Sequence, residues 1–350
     1  FPHHGPLEPA QVRGRDELVA DLVERITARR PTVLVAPRRY GKTTLLGRVT
    51  ADLEDTVTVV RVDLYELRSW ADLAGRLSAG LASVTGRRRA GLDRIAASLD
   101  VNLGVVRATF RTWNRPQPEP TTDRLLDVLV GHGSSSPTVV LFDEFSSIRR
   151  IEGAAGLLRT RLQHHFQQIG LVFAGSEPST MRMLFEDTDQ PFYAQADLLS
   201  VPPLSLAAFT DIVTEGFEGA PPAGLAGHVH GFTGGHPQRS MQLADAAWNA
   251  AHDGSANPWA DALAAVRQAT ASGHEIRFSA ATPADQAVLR LAAAGQPLFG
   301  RAAELLELSR SSAQSSRSRL VATGQLTREG GTHTVVDPLY RDWIAHRFAL

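Results

Sequence analysis

Apolar residues recur along this chain with two periods, and the change from one to the other marks its elements. Leu18, Val19, Leu22, Val23 and Ile26 form one stripe at helical spacing, which predicts a helix over 16–29 with Asp16 as its cap. An unbroken apolar run over 32–35 follows. A run without polar alternation suits a strand buried on both faces of a parallel sheet. The pattern then continues with a helix over 42–53, a strand over 57–64 ending on Asp63, a strand over 138–144, a helix over 152–168, a strand over 170–175 and a last strand over 198–204. Parallel neighbours need crossover connections, so strands separated by helices predict a doubly wound parallel α/β sheet.

Between the second and third strands the pattern is less regular. Helical spacing at 70–81 and 122–130 brackets the basic run Arg87-Arg88-Arg89, a β-like stretch over 101–112 and a proline-rich close at 116–120. These features predict an elaborated insertion over about 66–135, with the arginine run as a solvated face rather than a nucleic-acid site. After Pro202-Pro203 the strands stop. Helices are predicted at 206–217, 223–229, 237–251 and 259–271, with Ser205 and Asn257 as caps. A final unit has helices at 283–294, 301–306 and 311–323, then a hairpin over 325–336 turning on Gly330-Gly331, the pattern of a winged helix-turn-helix. The expected organisation is an irregular segment 1–11, an α/β core 12–205, an all-helical subdomain 206–278 and a winged-helix domain 279–350.

Composition narrows the class. Apolar residues make up 43% and charged residues 21%, ordinary for a soluble globular protein of 350 residues with two or three domains. The net charge of −1 gives no global attraction to nucleic acid or acidic membrane, so any such binding must come from a local patch. The chain has no cysteine, which excludes disulfides and cysteine-ligated zinc. No apolar run approaches membrane-spanning length and nothing at the N-terminus reads as a signal peptide, so a cytoplasmic protein without a membrane partner is expected.

The cations carry the strongest chemical signal. Of 36 basic residues one is lysine, and it is Lys42, within Ala36-Pro37-Arg38-Arg39-Tyr40-Gly41-Lys42-Thr43-Thr44. Arginine is a planar fork and lysine a compact ammonium. A phosphate-binding loop needs that point charge between β- and γ-phosphate oxygens. Ala36 occupies the first glycine position of the loop. Pro37 biases it toward extended geometry, where alanine is sterically acceptable. Gly41 keeps the glycine where backbone approaches phosphate, and successive N–H groups with the following helix N-terminus supply the anion site. Thr43 is the expected Mg²⁺ ligand, with Thr44 as support. Asp143-Glu144 ends the strand over 138–144. Asp143 is placed to hold Mg²⁺ through water, and Glu144 to act as general base. Ser176, at the next strand end, fits a γ-phosphate or water sensor as well as it fits a polar loop residue.

Together these motifs resemble the archaeal-type P-loop ATPases of the STAND/AAA+ group, whose near relatives include the origin-recognition initiators. Val12-Arg13-Gly14-Arg15-Asp16-Glu17-Leu18 is similar to the family's N-terminal Gly-Arg-acidic motif; by that resemblance Gly14 and Arg15 lie against the adenine. Residues 36–46 resemble the family's phosphate loop, including Pro37, Arg38, Arg39 and Tyr40, and Phe142-Asp143-Glu144-Phe145 its Walker B strand. Thr233-Gly234-Gly235-His236-Pro237 resembles the motif that opens a helical lid, which implies that Gly235 and Pro237 approach the base or ribose. The resemblance implies ATP/ADP and Mg²⁺ as cofactors, slow ATP hydrolysis in isolation and a conformational switch in which lid and winged helix move. In the winged helix, Arg310, Arg317 and Arg319 stand among serines and no acid occurs from Leu308 to Thr327, which suits duplex DNA. The alternative use of this unit is protein contact, with a separate effector or sensor protein, or autoinhibitory docking, and the protein as a whole is open to assembly into an oligomer.

Overall fold

The computed structural model describes residues 1–101, 103, 118–329 and 331–348. They divide into two compact units: 8–36 with 42–201, and 1–7 with 37–41 and 202–350.

The first unit is built on a five-stranded sheet of β1 (Thr32–Val35), β2 (Thr58–Asp63), β3 (Thr138–Asp143), β4 (Ile169–Gly175) and β5 (Asp197–Ser200), in the order β2-β3-β4-β1-β5. All pairings are parallel, and β1 sits between β4 and β5, with Thr32 opposite both Val172 and Asp197. β1, β3 and β4 are buried along their whole length. That is why their sequences read as unbroken apolar runs. The helices of this unit are α1 (Asp16–Thr27), α2 (Lys42–Leu53), α3 (Trp70–Ala82), α4 (Gly86–Ser98), α5 (Pro118–Ser135), α6 (Ala154–Leu162) and α7 (Pro178–Glu186). Phe142 stacks on Phe173 at 5.5 Å between ring centroids, and Phe145 meets the Phe173 ring edge-on at 4.7 Å. Each fully buried ring contributes about 1.5–3 kcal/mol. Phe145, immediately after Glu144, therefore anchors the end of β3 in the core.

Several local expectations shift. Asp16 is the first residue of α1 and does not cap it; Arg15 takes the cap position without a side-chain cap bond. The helix predicted over 152–168 closes as α6 at Leu162 and continues as a 3-10 turn, Gln163–His165. The last strand stops at Ser200. The arginine run is helical, in α4, and is not simply a solvated face. Arg89 donates to the Ala82 carbonyl at the end of α3 at 2.7 Å, and Arg88 to the Asp55 carbonyl at 2.7 Å. A cation on the unpaired carbonyls of a helix C-terminus is a favourable use of charge. Helices α3, α4 and α5 bring Leu73, Leu77, Leu92, Leu125 and Leu129 into the same core as the sheet. The β-like stretch predicted over 101–112 lies outside the described residues, Val101 and Leu103 excepted.

In the second unit, α8 (Leu206–Gly216), α9 (Leu225–Thr233), α10 (Pro237–His252) and α11 (Pro258–Ser279) close on Phe209, Val213, Leu225, Val229, Leu243 and Val266. Both expected caps form: Ser205 Oγ accepts from the Ala208 N–H at 3.1 Å, and Asn257 Oδ1 from the Ala260 N–H at 3.2 Å. Then come α12 (Pro283–Ala293), α13 (Arg301–Leu305), α14 (Arg310–Ala322), the antiparallel hairpin β6 (Leu326–Glu329) and β7 (Thr332–Val335), and α15 (Pro338–Arg347). Gly331 has φ +89° in the turn, and Gly330 lies outside the described residues. Three helices and a hairpin pack on Val288, Leu291, Ala313, Leu320, Leu326 and Val335 as a winged helix. Helix α15, which no periodicity announced, adds Tyr340 and Ile344 to that core.

Candidate functional site

In the first unit the chemistry-bearing residues converge on the C-terminal ends of β1, β3 and β4. Parallel sheets present their loops, and hence their polar groups, at that edge. Lys42 opens α2 and is 4% exposed. Its ammonium donates to the Ala36 carbonyl at 2.9 Å. Lysine here folds back over its own loop, a path a guanidinium fork is too wide to take. Thr43 Oγ1 donates to Asp143 Oδ2 at 3.1 Å, which joins the head of α2 to the end of β3. Thr44, the next residue of α2, is half-buried.

Asp143 is 8% exposed and its carboxyl is pushed above the usual carboxylate range. Burial is the main cause and the Glu144 charge the second; the bonds from Thr43 and the Glu144 N–H and the charge of Lys42 oppose them. Two adjacent acids thus share this strand end with one nearby ammonium, that of Lys42. Glu144 sits in left-handed backbone, φ 52° and ψ 42°, a rare conformation for a residue with a side chain. Its carboxylate accepts the Ser176 hydroxyl and, at 3.3 Å, the Ser176 N–H. Ser176 follows β4 and is 4% exposed, so adjacent strand ends are tied through this contact. Sequence reasoning named both residues but not their bond, because a pairing across 32 positions leaves no local pattern.

The loop itself divides between the units. Ala36 is 2% exposed and is not among the residues of positive φ. That agrees with extended backbone before proline. Residues 37–41 belong with the second unit. There Arg38 is exposed, Arg39 (φ 70°) donates to Gln238 Oε1 at 3.3 Å, and the Tyr40 ring meets His236 edge-on at 4.9 Å. Gly41 has φ +82° with open space around it, so its glycine answers to backbone geometry rather than crowding. Gly235 answers to both. It has φ +74°, and a Cβ there would meet the Leu204 carbonyl oxygen at 2.2 Å. Pro237 is the first residue of α10. Gly14 has φ 66° and is exposed beside Arg15, which is half-buried.

A divalent cation is tested by the donor chemistry. Thr43 and Asp143 offer a hydroxyl and a carboxylate oxygen, hard ligands suited to Mg²⁺, and the adjacent acids Asp143 and Glu144 favour a cation. Among the described residues no group of three or more His, Asp or Glu side chains forms a self-sufficient metal cage. Magnesium bound through one carboxylate and substrate phosphates needs none.

On the winged helix, Arg310 is exposed and Arg317 half-buried. Arg319 is committed elsewhere: its Nε and Nη2 donate to the two carboxylate oxygens of Asp285 on α12, at 3.0 and 2.7 Å. The hairpin contributes a cation and a histidine that the sequence did not single out. Arg328 and His333 pair across β6 and β7. His333 is shifted toward its neutral form by burial first and then by the charges of Arg317 and Arg328. Among the described residues no helix is long and apolar enough to cross a membrane.

Neither protein-family models nor curated protein sequences give a match to this chain. Solved structures do. The Walker-type ATPase PABY2304 of Pyrococcus abyssi is 16% identical, with a TM-score of 0.73 over 98% of this chain and 99% of that one. The Aeropyrum pernix ORC1 protein, solved in complex with DNA, is 13% identical, with a TM-score of 0.52 over 96% and 93%. The chain thus has the fold of the archaeal Walker-type and origin-recognition P-loop ATPases along nearly its whole length.

Proposed function

We propose that the chain is an ATPase that binds ATP with Mg²⁺ on the loop 36–44 and couples nucleotide state to movement of its helical subdomain and winged helix. The observation that carries this reading is the bond from Thr43 to the buried Asp143 carboxylate at 3.1 Å, beside the buried Lys42 ammonium. It brings a point cation, a hydroxyl and a buried acid to one strand edge, and a metal–triphosphate complex is the ligand whose charges answer all three.

Each residue then has a task. Lys42 leaves the Ala36 carbonyl for a β- or γ-phosphate oxygen, and the backbone N–H groups around Gly41 hold the phosphates at the head of α2. Thr43 and Asp143 would hold the cation, Asp143 through water. Magnesium there would neutralise charge developing on the phosphoryl oxygens. Glu144 accepts the proton of the attacking water once it leaves Ser176, and Ser176 is then free to meet the γ-phosphate or that water. Because Glu144 begins engaged with Ser176, slow turnover in isolation is expected. The Arg39–Gln238 bond and the Tyr40–His236 ring contact support coupling between the loop and the helical subdomain.

The reading is tested by phosphate release and ATP affinity in three proteins. Glu144→Gln should bind ATP and slow hydrolysis by about 10²–10⁴-fold. Lys42→Ala should lose binding. Equal turnover in the Gln variant, or retained affinity in the Ala variant, would refute the assigned roles.

A second reading is carried by the cations of the winged helix: Arg310 and Arg317 on α14, with Arg328 on the hairpin close enough to His333 that it and Arg317 both act on that ring. These suit duplex DNA, with nucleotide as a mainly structural ligand. The ORC1 protein of similar fold was itself solved with DNA. Binding by the full chain should then fall steeply with salt. Absent or salt-independent binding would favour docking to a separate effector or sensor protein.

A further inference from the structure

The second unit contains a buried polar chain that the nucleotide chemistry does not use. Asp337 caps α15: its Oδ1 accepts the N–H groups of Leu339 and Tyr340 at 3.1 and 3.4 Å. The same carboxylate takes a two-pronged bond from Arg239, Nε to Oδ1 at 3.0 Å and Nη2 to Oδ2 at 2.5 Å. Arg239 is 6% exposed and spends Nη1 on Gln242 Oε1 at 2.7 Å. Its own N–H donates to Nδ1 of His236 at 3.4 Å, so His236 caps α10. His236 in turn lies against the Tyr40 ring, and the neighbouring Gln238 receives Arg39.

Asp337, Arg239 through both its guanidinium and its backbone N–H, His236 and Tyr40 thus lead from the last helix of the winged-helix domain to the backbone segment that precedes Lys42. Each is held in a defined geometry. The planar guanidinium can meet Asp337 with both forks in only one orientation. His236 can cap α10 only with Nδ1 unprotonated. Leu339 packs in the helical subdomain and Tyr340 in the winged helix, so the segment Asp337 caps is shared by two cores. A shift of α15 moves Asp337, and Arg239 cannot follow without leaving a buried charge unmatched.

We infer that Asp337 is a positioning residue for the nucleotide site. Through Arg239, His236 and Tyr40 it ties the conformation of residues 37–41 to the placement of α15, so loop occupancy and winged-helix placement bias one equilibrium. This rests on the nucleotide reading above and adds the route by which the C-terminal domain participates. Coupling of this kind is reciprocal: if α15 biases nucleotide affinity, nucleotide must bias α15 by the same factor.

The test uses the full chain and has two arms. Asparagine caps helices about as well as aspartate, so Asp337→Asn keeps the α15 cap and removes the charge that Arg239 requires. ATP affinity measured well below the unfolding temperature should weaken by about fivefold or more. In the wild type, hydrogen exchange at the Leu339, Tyr340 and Arg341 amides should slow by a similar factor when ADP is added, which needs no variant to fold. An Asp337→Asn protein that unfolds more easily yet binds ATP within twofold of wild type would show a purely structural role and overturn the inference. Exchange at 339–341 indifferent to ADP would overturn it equally. Failure of the wild type to bind ATP at all would instead remove the nucleotide reading, and the inference with it.

Discussion

Two glycines illustrate how a residue's requirement is set by its surroundings. Gly41 and Gly235 share left-handed backbone, φ +82° and +74°, but only Gly235 is crowded. Its carbonyl accepts the Leu204 N–H at 2.9 Å, and the space for a side chain is filled by the Leu204 carbonyl. Gly41→Ala should therefore cost folding only the left-handed penalty, about 1–2 kcal/mol, with its main effect on nucleotide affinity. Gly235→Ala adds overpacking against backbone that cannot rotate away, for a total of about 2–5 kcal/mol. Urea denaturation of the two variants separates them; equal losses would contradict the assignment. The Gly-Gly-His-Pro segment pointed to a special site from sequence alone, but the need for Gly235 lies in Leu204, 31 positions earlier, where no local pattern reaches. Lys42, Thr43, Asp143 and Glu144 stand out in the sequence because the proposed phosphate chemistry fixes residue type and spacing over a short stretch, and the structure joins Thr43 to Asp143. The Arg239–Asp337 bond does not stand out, since its partners are 98 positions apart. One half of it carried a signal that went unused: Asp337 before Pro338 is a helix-start pair, and it does start α15.

At the scale of elements, legibility followed burial. Strands β1, β3 and β4, buried on both faces, were readable as apolar runs. Helix α4 was not, because it buries only Leu92 and Ala96, and Arg88 and Arg89 are satisfied by carbonyls outside it. In the winged helix, charge that reads as available in the sequence is already engaged in the structure. Three arginines of the α14 region fitted DNA from sequence, yet Arg319 brackets Asp285 and so pins α14 to α12. The Asp285 N–H donates to the Thr282 hydroxyl, the cap of α12, at 3.2 Å, and burial of its carboxyl is outweighed by bonds from Arg319, Ser316 and Thr282 that hold it below the usual range. Arg319→Ala should accordingly lower the thermal unfolding midpoint. Arg310→Ala and Arg317→Ala should leave that midpoint nearly unchanged while each reduces the salt slope of DNA binding by about one. If Arg319→Ala instead behaves like the other two, with unaltered stability and a shallower slope, then its pair with Asp285 is not what holds the helices.

For the molecule as a whole, the buried chain of the second unit predicts a response to acid. His236 and His274 are held largely neutral, each lowered to about 4, with burial as the main cause. Asp337 pulls both the other way, while Arg239 and Arg39 push both down and Arg277 acts on His274. The ordinary histidine value applies once the chain unfolds, so the unfolded state takes up protons at a higher pH than the folded state. Their contribution to stability is complete above about pH 6.5 and is lost as pH falls from there toward about 4, where it levels off. Each histidine accounts for about 3 kcal/mol over that window, from a lowering of 6.5 to about 4. Asp337, held below the usual carboxylate range by Arg239 against the opposing effect of burial, stays charged through the window and does not produce the loss. In a Trp70→Phe/Trp113→Phe background, fluorescence of Trp248, Trp259 and Trp343 during urea titration at pH 7, 6, 5 and 4.5 would follow this unit. The background protein should lose stability steeply below pH 6.5, and its His236→Gln/His274→Gln variant should lose markedly less over the same range. Parallel pH profiles for the two proteins would mean that the buried histidines are not the groups protonated on unfolding, and the acid response would then belong to the carboxylates, below pH 4.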